Sequence, residues 1–165
     1  TIVGTPLFGE EAYEQELHAL AASLGLTDHV HFAGFTHDVP GAMRAMTVVV
    51  HASTTGEPYG QVVIEAMAAG LPVAAYPAPG PIDIIPGSSA GVLAATPTEG
   101  LREACLEASK LDPAVVRAYA EKFSWRACAE EFVRNLEPYP EPQKTRFWRK
   151  LRRLARLRKK TPVAA

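Results

Sequence analysis

EPYGQVVIEAMAAG, residues 57–70, sets two carboxylates, Glu57 and Glu65, on either side of a glycine-marked turn. Upstream, residues 47–51 form an apolar run that leads into the Gly/Pro/Thr-rich segment 53–60. That order reads as a buried strand ending in a turn. Gly60 then opens an apolar-periodic stretch, Val62, Val63, Ala66 and Met67, predicted to be a helix packed on a sheet. At ~1.5 Å per residue, Glu65 falls about 7–8 Å along that helix from Gly60. Amides near residues 59–62 are then those of a helix N-terminus, where unpaired N–H groups and partial positive charge attract anions. A carboxylate accepts hydrogen bonds from two hydroxyls at once. One on each side of a phosphate-sized amide nest suits a polyol–diphosphate–ribose ligand, the form of a nucleotide sugar.

Outward from this motif, strand and helix signals alternate. Strands are predicted at residues 2–4, 29–32, 48–50, 72–76 and 91–94, with helices at 9–24, 38–46, 60–69 and 81–86 between them. Beyond residue 98 only helices are predicted, over 98–110, 113–122 and 124–136. Such alternation argues for an α/β fold, a doubly wound, Rossmann-like parallel sheet covered on both faces. Ligands of such sheets bind at the carboxyl ends of strands, and the motif lies just past one such end. The domain is taken to span 1–136, followed by a Pro-rich spacer at 137–143 and a basic amphipathic helical tail at 144–165.

Composition bounds the class. At 47% hydrophobic and 21% charged, the 165 residues are those of a globular domain with a core of its own. No apolar stretch approaches the ~20 residues that span a bilayer, and the N-terminus has no basic region of signal-peptide type. The chain starts inside a strand pattern without Met, so it is read as part of a larger protein. Cys105 and Cys128 are expected to be reduced, half-buried thiols of a cytoplasmic protein. The net charge of −1 hides an asymmetry: residues 144–160 hold ten Lys/Arg and no acid, leaving seven basic against eighteen acidic residues elsewhere. An acidic body opposes a polyanion, so nucleic acid is not expected as a partner. Phe147, Trp148, Leu151, Leu154 and Leu157 share half a helical wheel, opposite most of the tail's cations. That pattern fits an anionic membrane surface at the cytoplasmic face. A helix crossing onto another domain is the alternative.

The motif and its flanks resemble a family. The E-x7-E spacing, the run from Glu65 to Val73 (EAMAAGLPV), and GPIDII at 80–85 are similar to the donor-binding, C-terminal half of retaining glycosyltransferases of the GT-B fold, glycosyl transferases group 1. HVHFAGF at 29–35, Asp38-Val39-Pro40 and the Phe123-Ser124-Trp125 corner agree with that pattern. The resemblance implies transfer of a hexose from a nucleoside diphosphate sugar to a glycan, lipid-linked or small-molecule hydroxyl, with retention and without a metal or other cofactor. It makes Glu57 the catalytic, hexose-holding residue and Glu65 the ribose ligand. Pro58, Tyr59, Gly60 and Gln61 then lie against the sugar and phosphates. Gly34 and Phe35 correspond to a loop near the base; His51, which ends the strand before the motif, is expected from that position to line the cleft. Read alone, Glu57 serves equally as a helix-start acid and Glu65 as a solvent-facing one. Glu65 nevertheless has apolar neighbours and no Lys or Arg within four positions. His29 and His31 share a strand face but lack a third metal ligand.

Three departures matter. Pro79 replaces the first glycine of the family's Gly-Gly-Pro, removing one N–H donor, and Asp83 replaces a glutamate. The family draws its diphosphate-binding Arg and Lys from the strand–helix unit before the Ile2-Val3-Gly4 strand, whereas Arg44 is the only Arg or Lys in residues 1–101. A fragment lacking those cations and the acceptor-binding N-terminal domain is expected to be inactive alone. A nucleotide-sugar epimerase of the same fold, or a non-catalytic nucleotide-binding or interaction domain, are the alternatives.

Overall fold

The computed structural model describes residues 1–54, 58–85, 87, 89–96 and 99–136. In chain order the elements are β1 (Ile2–Val3), α1 (Glu11–Ser23), β2 (Phe32–Gly34), α2 (Val39–Arg44), β3 (Val49–His51), α3 (Gln61–Ala68), β4 (Val73–Ala75), α4 (Pro81–Ile84), β5 (Gly91–Leu93), α5 (Glu99–Ala108) and α6 (Pro113–Ala120). A 3₁₀ turn (Glu121–Phe123) ends the first compact unit, Thr1–Ser124. The second unit, Trp125–Ala165, contributes α7 (Trp125–Arg134) to the described residues. The Pro-rich spacer and basic tail lie outside them.

Local chemistry sets the helix starts. The Asp38 carboxylate accepts from the Gly41 amide at 2.8 Å and begins α2 with Pro40 in its first turn. Asp112 does the same for the Ala114 amide at 2.8 Å, with Pro113 in the first turn of α6. Both are capping acids with a proline, which has no amide to satisfy, in the first turn of the helix they begin.

All strand pairing among the described residues is parallel. β3, β4 and β5 form one ladder in that order, with Val49 opposite Val73 and Val73 opposite Gly91. The central strand β4 is fully buried along its length. Val73 and Ala75 face a core with Val63, Ala66 and Met67 of α3 and Val116 and Ala120 of α6. Ala74 faces the other way, onto Ala104 and Ala108 of α5. Helices on both faces of a buried parallel strand are the doubly wound arrangement the alternation predicted.

β1 and β2 form a separate ladder, Ile2 opposite Phe32. Here the structure departs from the sequence reading. The 29–32 strand begins instead at Phe32, because the Leu26 carbonyl accepts from the amides of both His29 and Val30 at 2.9 Å and coils that segment into a turn. His29 and His31 therefore do not form a strand-face pair. The apolar stripe of α1 buries no residue: Leu20 and Leu24 are exposed, and its ring contact is His18 stacked on Phe32 at 3.8 Å.

Candidate functional site

The turn before α3 forms as its glycine requires. Gly60 has φ 76° and ψ 37°, the left-handed region that side chains with a Cβ avoid, and is the N-cap of α3. Its carbonyl accepts from Val63 at 3.0 Å and Ile64 at 3.3 Å. No side chain caps the helix, so the amides of Gln61 and Val62 precede the first intrahelical bond. They emerge beyond the carboxyl end of β3. Pro58 and Tyr59 are exposed on the same turn and Gly60 is buried. Glu57 lies outside the described residues.

Glu65 stands one turn into α3 and is exposed. Gln61 Nε2 donates to Glu65 Oε1 at 3.1 Å, so the carboxylate meets water and an amide rather than the apolar setting its sequence neighbours suggested. It lines a groove of about 560 Å³ with Val39, Pro40, Met43, Arg44 and Arg117. The chain thus brings two guanidinium side chains to the groove of an acid that had none nearby in sequence. Arg117 donates to the Ala69 carbonyl at 3.2 Å, at the far end of α3 from Gly60.

At the end of β2, Gly34 has φ 67° and accepts from the Gly4 amide at 2.9 Å. Phe35 follows, 64% exposed and set edge-on to His37 with centroids 4.7 Å apart. A phenylalanine after a strand is ordinarily core; this one is not, and it lines a groove with Val62 of α3. His51 is buried at the end of β3, and its neighbour Ala52, rather than the imidazole, lines that groove. Gly80 begins α4 at φ 93°, where Pro79 has already removed a donor.

Beyond the carboxyl ends of β4 and β5, Thr54, Tyr76, Pro77, Pro79, Ala95 and Thr96 line a further cleft of about 520 Å³. The sequence reading did not single out Tyr76, Pro77 or Thr96. The signal was present, since Tyr76 is the last residue of a predicted strand and Pro77 and Thr96 lie within two positions of a predicted strand end. Among the described residues no cluster of His, Cys, Asp or Glu is placed to hold a metal ion. Cys105 is partly buried, which raises its thiol pKa, whereas Cys128 is exposed rather than half-buried. Both are free thiols. No helix among the described residues is long and apolar enough to cross a membrane.

The sequence model of the glycosyl transferases group 1 family matches residues 1–123. The chain belongs to that family. The lipopolysaccharide glucosyltransferase WaaG of Escherichia coli is 29% identical over 132 residues, covering 79% of this chain and 33% of its own length. An exopolysaccharide phosphotransferase of Streptomyces coelicolor is 33% identical over 138 residues, again 79% of this chain but 14% of that protein. The crystal structure of Anabaena HepE in complex with UDP and glucose is 33% identical, with a TM-score of 0.68 over 81% of this chain and 39% of HepE. The group 1 chain described here thus spans a third or less of the curated relatives it matches.

Proposed function

We propose that this chain is the donor-binding half of a retaining glycosyltransferase that moves a hexose from a nucleoside diphosphate sugar to a glycan, lipid-linked or small-molecule hydroxyl. The observation that carries the reading is the left-handed Gly60 at the uncapped start of α3, with Glu65 one turn on. In this arrangement the amides of Gln61 and Val62 bind phosphate oxygens, and Glu65 takes the ribose hydroxyls in place of its bond to Gln61. Glu57 holds the hexose, Pro58 and Tyr59 wall the sugar, and Gly34 and Phe35 approach the base. The binding of UDP and glucose by HepE supports a nucleotide sugar as the ligand class. No metal takes part, and the diphosphate's cations and the acceptor site come from outside residues 1–165.

The test is a thermal-shift panel of nucleoside diphosphates and nucleotide sugars against the wild type and Glu65→Ala, with and without EDTA. One nucleotide class should raise the melting temperature of the wild type alone, unchanged by EDTA. No shift with any of them would sink the reading. A second reading, a nucleotide-binding or interaction module without transferase activity, draws on the phosphotransferase match, where the similar segment is a small part of a protein named for another reaction. Nucleotide stabilisation with no transfer by the full-length parent would favour it.

A further inference from the structure

Residues 1–121 hold fourteen Asp or Glu against four Lys or Arg, yet two of those four cations line one groove. Arg44, the last residue of α2, and Arg117 of α6 stand along it with Glu65 of α3, around a volume of about 560 Å³. Both arginines are exposed, and among the described residues neither is paired with a carboxylate. Glu65 spends Oε1 on Gln61 at 3.1 Å rather than on either of them. Arg117 is held in place. Its Nη2 donates to the Ala69 carbonyl at 3.2 Å and lies beside Gly70, where a Cβ would come within 3.5 Å of the same nitrogen. That one bond leaves most of the guanidinium donors free. Each arginine alone is a cation at a helix end, a favourable place for one. Here the two share a single groove whose floor is apolar, with Val39, Met43 and Ala68.

We propose that this groove binds one anionic head, phosphate or carboxylate, carried on a short apolar body. The planar guanidinium fork meets either head with two hydrogen bonds at once. The rest of the lining decides the body, since the side chains of Val39, Met43 and Ala68 offer no hydrogen bond to a sugar hydroxyl. Glu65 on the same wall limits the charge, because it repels a second anionic group placed beside it. The volume lies within the range of small-molecule sites. A free metabolite and the head of a lipid share this chemistry. The groove uses neither the Gln61 nor the Val62 amide, so it does not rest on the nucleotide reading.

The probe is hexyl phosphate, kept below its micellar concentration and added to the full 165-residue chain while the arginine Nε–H resonances are observed. Saturable shifts are expected at Arg44 and Arg117 together. Arg44→Gln and Arg117→Lys should each weaken binding about tenfold, the scale of one lost charged hydrogen bond. Neither change threatens the fold, because Arg44 is exposed and Lys keeps the charge at the end of α3. Inorganic phosphate should bind at least about tenfold more weakly, for want of methylenes to bury. Glu65→Ala should strengthen hexyl phosphate binding about twofold by removing a like charge, the opposite of its expected effect on nucleotides. Dihexanoyl phosphatidic acid separates the two sources: tighter binding than hexyl phosphate assigns the groove to a lipid head, weaker binding to a free metabolite. The proposal is overturned by the absence of saturable shifts at the two arginines, or by equal binding of inorganic phosphate. Weaker hexyl phosphate binding by Glu65→Ala would also overturn it, by placing the probe in the nucleotide site.

Discussion

At Gly60 a single missing Cβ lets the chain leave β3 and enter α3 with no side-chain cap between them. Gly60→Ala should destabilise the fold by roughly 1 kcal/mol, the cost of forcing an L-residue to φ near +76°, and should also abolish nucleotide-dependent stabilisation. Glu65→Ala provides the contrast. Its exposed side chain holds one bond to Gln61, so stability should change by about 0.5 kcal/mol or less while nucleotide affinity falls at least about tenfold, the scale of one lost charged hydrogen bond. Urea melts and calorimetric titration of the pair separate the two effects. Cys105 makes a pH-dependent prediction. Burial raises its thiol pKa, so the folded state holds the proton to higher pH than the unfolded chain does. That contribution is complete below the unfolded pKa and is lost as pH rises through the folded one. Cys105→Ala should therefore flatten the alkaline fall in stability, and iodoacetamide near pH 8 should modify exposed Cys128 well before Cys105.

Among the elements, α6 is tied to α4 by a bond that crosses 35 positions: Tyr119 donates to the Ile84 carbonyl at 2.8 Å. Tyr119→Phe should cost about 1 kcal/mol by leaving that carbonyl without its donor, read as a lowered denaturation midpoint with unchanged slope. This contact also marks what the sequence could and could not disclose. Strand and helix order and the turn at Gly60 are local and were legible, because each depends on residues a few positions apart. The strand expected at 29–32 was missed because Leu26 sits in reach of two amides, a competition that the β-branched Val30 did not reveal. The stripe of α1 was legible as a pattern, but its burial depends on neighbours that periodicity does not supply. Arg44 and Arg117 reach the groove of Glu65 only through tertiary packing, so sequence spacing around Glu65 had no sign of them.

For the molecule as a whole, activity is predicted to require more than these residues. Purified alone, the chain should show no transfer from any nucleoside diphosphate sugar, because charge on the departing diphosphate needs stabilising cations and the acceptor must be held beside the donor. Turnover in a radiolabelled-donor assay would refute this. The basic segment 144–160, outside the described residues, is proposed to sit on anionic membrane at the cytoplasmic face. Co-sedimentation with phosphatidylserine vesicles, but not with neutral ones, should disappear when residues 144–165 are removed.

The two sides of β4 differ in a way that constrains future change. Toward α3 and α6 the filling includes Met43 and Met67, long unbranched side chains that readjust around an intruder. Toward α5 the fully enclosed atoms belong to Ala74, Ala94, Ala104 and Ala108, and a methyl group has no rotamer to offer. A bulkier residue there has to displace α5 or the half-buried Val92, Leu101 and Cys105 packed against these methyl groups. Drift in this protein should consequently be lopsided, permissive on the methionine side and nearly frozen on the alanine side.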